Sequence, residues 1–372
     1  MKTQLRIFIY ILAISIFNTS YVSSQSLKKS YEGIFDIGAA VGVREANGTD
    51  TKAFPILDKH FNSLTPENLM KWGSIHPRLG QYNFEPMDRL VALAEKIDAR
   101  VIGHTLVWHN QTPDWVYEDE NGERLSKDAL LHRMEEHIEA VAGRYKGKVF
   151  GYDVVNEAFF DDGQYRTSKW YETAGKDFIK RAFIKTQEVD PDAELYYNDY
   201  NMWKPEKTDA AIQLAKELRK EGIRIDGIGM QGHYGLDSPS LEIIETAINK
   251  IADAGFKVMF TEVDIDVLPN PVNRHGADID ATFPADESYN IYKEGLPDEI
   301  QAKLVSRYKE LFELFKKHEE KITRITFWGV HDGGSWLNNW PMPGRTAYPL
   351  LFDKDYQEKK DIIQAVIDVA QN

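Results

Sequence analysis

The 372-residue chain contains no cysteine. That excludes disulfide staples and thiolate metal sites, so stability has to come from a buried core. Basic blocks are missing as well. Lys and Arg number 45 against 59 Asp and Glu, for a net charge of −14, and nothing tracks a phosphate backbone. Nucleic acid is therefore excluded as an expected partner, and the acidity reads as solubility. There is no internal repeat, no low-complexity linker and no apolar run of the roughly 20 residues a membrane span needs. The apolar stretch from Ile7 to Phe17 falls short of that length. It follows Lys2 and Arg6 and precedes small and polar residues through Gln25, the layout of a secretory leader. The expectation is a signal peptide over 1–24, removed by cleavage, and a single domain over 25–372. The mature chain has no membrane span and is expected to be a monomer. Lacking a cysteine for lipid attachment, it is expected at the cell surface, in the periplasm or in the medium.

What is present suits a sizeable core: 42% of residues are hydrophobic and 12% of the chain is aromatic. Short β-branched or aromatic runs alternate with longer amphipathic stretches. The runs lie at 35–42, 60–68, 99–108, 149–157, 194–201, 225–233, 257–265 and 322–330. Between them, "SKDALLHRMEEHIEAVAGRYKG" has a serine cap, helical apolar spacing and a glycine stop, and "DAAIQLAKELRKEG" and "LVSRYKELFELFKKHEEK" read the same way. Eight strands with intervening helices predict an α/β fold, a (β/α)₈ TIM barrel. A doubly wound open sheet would want a glycine-rich phosphate turn after its first strand, and "VGVREANG" does not supply one. The connection over 266–299, rich in Pro, Asp and Asn, is expected to be a long loop on the active face after the seventh strand.

Polar and aromatic residues crowd the C-terminal ends of these runs. Glu67 and Asn68 end the second, His104 and Trp108 the third, Asn156 and Glu157 the fourth, Asn198 and Asp199 the fifth. Gln231 and His233 end the sixth, Glu262 and Asp264 the seventh, and Trp328 the eighth. In a parallel barrel these ends converge on one face, where barrel enzymes keep their active sites. Glu157 and Glu262 are the natural centre, able to divide acid and nucleophile roles at a glycosidic bond. A magnesium or calcium site would want more clustered oxygens, and no HExxH helix supports zinc, so no metal and no cofactor is expected. Trp72, Trp108, Trp328, Trp336 and Trp340 lie at strand ends or in the following loops. Flat indole faces there would stack on the C–H faces of sugar rings.

Taken in order, "ENLMKW" (67–72), "GHTLVWHNQTPDW" (103–115), "YDVVNEA" (152–158), "LYYNDYN" (195–201), "GIGMQGH" (227–233), "TEVDI" (261–265), "TFWGVHDGGSW" (326–336) and "PLLFD" (349–353) resemble glycoside hydrolase family 10, the endo-β-1,4-xylanases. The likeness covers nearly the whole expected mature chain. It implies xylan or xylo-oligosaccharides as substrate and hydrolysis with retention of configuration. It makes Glu157 the general acid/base and Glu262 the nucleophile. Asn156 would bind the sugar 2-hydroxyl, and His233 and Asp264 would hold the nucleophile ionised and aimed. Two residues apart on an extended strand, Glu262 and Asp264 share a face. Glu67, Asn68, Lys71, His104, Trp108 and Gln111 correspond to contacts on the glycone side. Gln231 is a further substrate contact, Asn198 and Tyr200 correspond to groove residues near the centre, and Trp328 to the platform beneath the sugar. Trp336 and Gln111 would crowd the space of a hexose hydroxymethyl, favouring xylose. The sequence departs from the family's commoner residues at Leu69, Gly73 and His331, the last standing where Thr is usual.

Two other readings remain at this stage. The same carboxylates would serve a retaining hydrolase of cellulose or mixed-linkage β-glucan. More remote is a barrel that binds sugar without catalysis, although such a protein normally loses a carboxylate and both are here.

Overall fold

The computed structural model describes residues 26–271 and 279–371, so the expected leader over 1–24 lies outside the described residues. Nine strands form one parallel sheet: β1 (Asp36–Val41), β2 (Ser63–Pro66), β3 (Arg100–Trp108), β4 (Gly151–Asn156), β5 (Glu194–Asp199), β6 (Gly227–Met230), β7 (His233–Gly235), β8 (Lys257–Asp266) and β9 (Ile322–Phe327). Their order is β6-β5-β4-β3-β2-β1-β9-β8-β7, and pairing of β6 with β8 closes the ring. Eight strands therefore make the barrel wall, each falling on one of the eight expected runs, with β8 extending one residue beyond its run, and β7 is a short addition on its rim.

The strands are buried on both faces, as β-rich segments covered by helices must be. In β4 all of Gly151–Asn156 is buried, and in β9 only Thr323 is exposed. The helix Lys127–Arg144 shows how the sequence covers the barrel. Ser126 Oγ accepts from the backbone N–H of Ala129, a cap worth about 1 kcal/mol. Leu130, Leu131, Met134, Ile138 and Val141 then form one buried stripe. Each such side chain contributes about 1.5–3 kcal/mol when fully buried. Helices Pro205–Lys220 and Asp298–Lys317 occupy the other two expected segments and bury equivalent stripes.

The sixth run differs from expectation. It breaks after Met230, because Gly232 adopts φ +88°, a conformation that favours glycine. The chain turns and resumes as β7, which pairs with β8 so that His233 lies opposite Asp264. Between the end of β8 at Asp266 and the start of the helix at Asp298, the 266–299 connection is irregular where described, apart from a 3₁₀ turn at Glu287–Tyr289. It folds back over the barrel mouth, where Asp280 accepts a hydrogen bond from Asn110 Nδ2 at 2.7 Å.

Candidate active site

A cavity of about 160 Å³ opens at the C-terminal ends of the strands. Glu157 and Glu262 line it together, from β4 and β8, with Glu67, Asn68, Lys71, His104, Trp108, Gln111, Asn156, Gln231, His233, Trp328 and Trp336 around them. A second hollow of about 550 Å³ continues from it and shares His233 and Trp336, so the space is an elongated trough. Its walls include Tyr234, Leu268, Tyr292 and Trp340.

Glu157 follows β4 directly, with no glycine or proline to turn the chain. The residue itself makes the turn, at φ +57°, a conformation that costs a non-glycine residue energy and recurs at functional sites. Its neighbours hold it there. The Glu157 N–H donates to Asn198 O at 2.9 Å, its carbonyl accepts from Arg166 Nε at 3.2 Å, and the next N–H, of Ala158, donates to the Tyr197 hydroxyl at 3.0 Å. The carboxylate is buried and accepts from Trp108 Nε1 at 2.8 Å, Gln231 Nε2 at 2.9 Å and Asn156 Nδ2 at 3.2 Å. Burial, then the negative charges of Asp199 and Glu262, push it up to about 7 despite those donors. It therefore keeps a proton in the range where an ordinary glutamate has lost one.

Glu262 is equally buried but leans the other way. Burial raises it, yet the hydrogen bond from His233 and the nearby His104 and Lys71 outweigh that and hold it below the usual carboxylate range. His233 Nε2 lies 3.3 Å from Glu262 Oε2, and its Nδ1 lies 2.9 Å from Asp264 Oδ1. Burial works against charge on that imidazole, but Asp264 and Glu262 prevail and raise it to about 10. An imidazolium thus faces the Glu262 carboxylate. Two carboxyls in one cavity with affinities pushed apart, one protonated and one ionised, is the arrangement that divides acid and nucleophile work.

Asn198 is placed differently from the groove position expected of it. It is fully buried behind the carboxylates, where Nδ2 donates to Glu262 Oε1 at 2.8 Å and to Asn156 Oδ1 at 3.0 Å. Thr261 Oγ1 donates to Asn198 Oδ1 at 2.6 Å, which fixes the amide's orientation. Space for the amide exists because position 229 is glycine: a Cβ there would come within 2.4 Å of Asn198 Oδ1. A register shift of β8 against β9 between Phe260 and Val263 accompanies the approach of both Thr261 and Glu262 to Asn198. Tyr200 is likewise buried rather than exposed to the cavity. Its hydroxyl accepts from Arg166 Nη2 at 2.7 Å, and Lys207 Nζ stands 3.6 Å from its ring centre.

The remaining residues divide in the same way. Trp328 has His104 at its edge, 5.2 Å between ring centres, and Lys71 Nζ at 5.8 Å over its face. His104 Nδ1 is fixed by Asp153 Oδ2 at 2.9 Å. Lys71 Nζ donates to Asn68 Oδ1 at 3.0 Å. Trp336 Nε1 donates to Asp264 Oδ2 at 2.8 Å and its ring stacks on Trp340 at 4.7 Å. Trp72 corrects an expectation: it belongs to the core, packed against His137 and Trp170 with its Nε1 donating to Leu106 O at 2.6 Å.

Sequence reasoning overlooked the pedestal beneath Glu157. Lys207 and Asp199, both fully buried, form an ion pair at 2.7 Å, and Tyr197 donates to the same aspartate. Ile279, from the long connection, also lines the cavity unannounced.

The profile of Glycosyl hydrolase family 10 matches residues 26–369. Endo-1,4-beta-xylanase A of Xylanibacter ruminicola is 44% identical over 333 residues, covering 89% of this chain and 90% of that protein. A beta-1,4-xylanase of Dictyoglomus thermophilum is 43% identical over 337 residues, covering 90% and 88%. Among solved structures, a GH10 endoxylanase retrieved from a sugarcane soil metagenome superposes with a TM-score of 0.88 at 40% identity, covering 93% of this chain and 99% of that one.

Proposed function

The chain belongs to glycosyl hydrolase family 10, and from that premise we propose how its own residues carry out the reaction. It is an endo-1,4-β-xylanase, cleaving internal β-1,4-xylosidic bonds of xylan with retention of configuration. The observation that carries the assignment of roles is the opposed protonation of Glu157 and Glu262 in one cavity.

Glu262 Oε attacks the anomeric carbon while the bond from that carbon to the leaving oxygen breaks. Glu157 gives its proton to that oxygen. A xylosyl ester on Glu262 results, and its formation removes the carboxylate's negative charge. Glu157, now ionised, takes a proton from water, the water oxygen attacks the anomeric carbon, and the ester bond breaks to return Glu262 as carboxylate. Asn156 binds the sugar 2-hydroxyl, a contact that strengthens in the transition state and contributes several kcal/mol in this class of reaction. His233 and Asp264 keep Glu262 charged and aimed. Trp328 carries the sugar face, with Glu67, Asn68, Lys71, His104, Trp108, Gln111 and Gln231 taking hydroxyls around it. Asn198 positions the catalytic pair from behind.

Substrate choice is assigned to Trp336 and Gln111, which both line the cavity and would crowd the space of a hydroxymethyl. Reducing-sugar release from xylan, carboxymethyl cellulose and barley β-glucan tests the choice. Xylan should be hydrolysed far faster, and equal or greater rates on the glucans would assign the protein to them instead. We further propose that residues 1–24 direct export and are removed, and that the remainder acts as a single monomeric domain. N-terminal sequencing of exported protein should begin near Gln25.

A further inference from the structure

The loops that follow β1 and β9, neighbouring strands in the barrel, bring together Glu45, Asp50 and His331. One ligand-capable atom from each lies within 4.8 Å of the others. None of the three lines the cavity of Glu157 and Glu262.

His331 is only 7% exposed, and its Nδ1 has no hydrogen-bond partner among the described residues. A buried polar nitrogen without a partner costs about 1–3 kcal/mol, and Nδ1 is open to a ligand that would satisfy it. The ring is held in place from both sides. It stacks on Tyr356 at 4.0 Å, and Gly333 and Gly334 pass so close that a Cβ on either would come 3.1–3.2 Å from a ring atom. Asp50 is held too, its Oδ2 accepting from the Tyr356 hydroxyl and its Oδ1 from the Ala53 N–H at 3.2 Å. Glu45 is half-buried. The ion pair from Arg44 to this group is weak, reaching Asp50 only at 3.9 Å from a side chain 72% exposed. Two partly desolvated carboxylates and a preset imidazole therefore converge with little positive charge between them.

We propose that Glu45, Asp50 and His331 bind a divalent transition-metal ion of the zinc class, as a clamp between the two loops. One nitrogen and two carboxylate donors suit such an ion, with water completing the shell. Calcium and magnesium take oxygen ligands and gain nothing from the imidazole. The clamp lies beside the glycone end of the trough. Glu45 Oε2 and Glu67 Oε2 lie 2.9 and 3.5 Å from the same point, where a Cβ on Gly42 would stand. A bound cation would therefore offset carboxylate charge next to Glu67 without taking part in bond cleavage.

The test uses tag-free protein stripped with EDTA and titrated with Zn²⁺ by calorimetry, with melting curves alongside. Wild type should bind one equivalent and melt at higher temperature when loaded. His331→Thr and Glu45→Gln should each bind at least about tenfold more weakly, since even outer-shell changes cost that much, and should lose the melting shift. Both should keep their EDTA melting temperature and xylan hydrolysis, which shows that they fold. No saturable one-equivalent binding by wild type would overturn the proposal, as would unchanged binding in both folded variants.

Discussion

Asn198 Nδ2 stands 2.8 Å from Glu262 Oε1 and 3.0 Å from Asn156 Oδ1, and Asn156 Nδ2 in turn reaches Glu157 Oε1 at 3.2 Å. A continuous chain of side-chain hydrogen bonds thus joins two carboxylates 105 positions apart in sequence, through two amides on adjacent strands. Asn198→Ala should break it. A hydrogen bond to a charged group contributes about 1.5–3 kcal/mol, so kcat/KM on xylan should fall roughly 10- to 100-fold. Steady-state kinetics, with a melting curve to confirm the fold, would check this. An unchanged kcat/KM would remove Asn198 from the machinery.

The pH dependence follows from the opposed carboxyls. Hydrolysis needs Glu262 ionised and Glu157 protonated, so kcat/KM should be bell-shaped. Its basic limb should fall near 7 and its acid limb below the ordinary glutamate range. Asp199 raises Glu157 by its charge, so Asp199→Asn should move the basic limb downward. That change strands the buried Lys207, and Asp199→Asn with Lys207→Met keeps the pair neutral should the single variant fail to fold. A basic limb that stays in place in folded Asp199→Asn, or one lower in the double variant than in the single, would contradict this source of the shift.

The same shift has a consequence for stability. The unfolded chain ionises Glu157 near 4.5, the folded protein only near 7. Wild type is therefore penalised increasingly as pH rises from about 4.5 to 7, and not below that window, with a full effect of about 3 kcal/mol. Glu157→Gln removes the titration. Its melting temperature relative to wild type should be higher at pH 8 than at pH 4 by a few degrees. A difference independent of pH would show that the carboxyl is not raised.

Without its acid, the enzyme should depend on the leaving group. Glu157→Ala should lose hydrolysis of xylan almost entirely, by a factor of about 10²–10⁴ or more. It should still form the glycosyl ester from a dinitrophenyl xylobioside, whose leaving group needs no proton. Added azide should then release a β-xylosyl azide, detectable by NMR. An α-azide would contradict retention.

Trp336 should govern the choice of sugar. It is fixed by Asp264 and Trp340, so its indole does not yield to an extra hydroxymethyl. Trp336→Ala should raise the ratio of β-glucan to xylan hydrolysis by about 5- to 150-fold, a methylene-sized discrimination amounting to about 1–3 kcal/mol. A constant ratio would place the selection elsewhere.

The barrel was legible because its eight buried strands carry β-branched residues and end in polar groups that have no reason to be in a core. Glu157 and Glu262 stood out for the same reason. What lay behind them did not. Lys207 sits in a helix among Glu206 and Asp209, and nothing local marks it as fully buried rather than solvated. Only its pairing with Asp199, across the fold, explains it. Asn198 looked like a groove residue because it ends a strand, yet the glycine opposite, Gly229, lets it sink behind the carboxylates. Trp72 ends "ENLMKW", which also supplies the cavity residues Glu67, Asn68 and Lys71, but opens the helix Trp72–Ile75 and turns into the core. Spacing along the chain predicts which face a residue takes, while depth depends on the size of a neighbour from another strand.

The nucleophile is the most direct point of attack. Incubation with a 2-deoxy-2-fluoro-β-xylobioside bearing a dinitrophenyl leaving group should inactivate the enzyme and add one glycosyl unit, because the fluorine slows both formation and breakdown of the ester while the activated leaving group restores the speed of formation alone. Peptide mapping by mass spectrometry should place that unit on Glu262. A label on any other residue would contradict the assignment of Glu262, and so would inactivation without a covalent adduct.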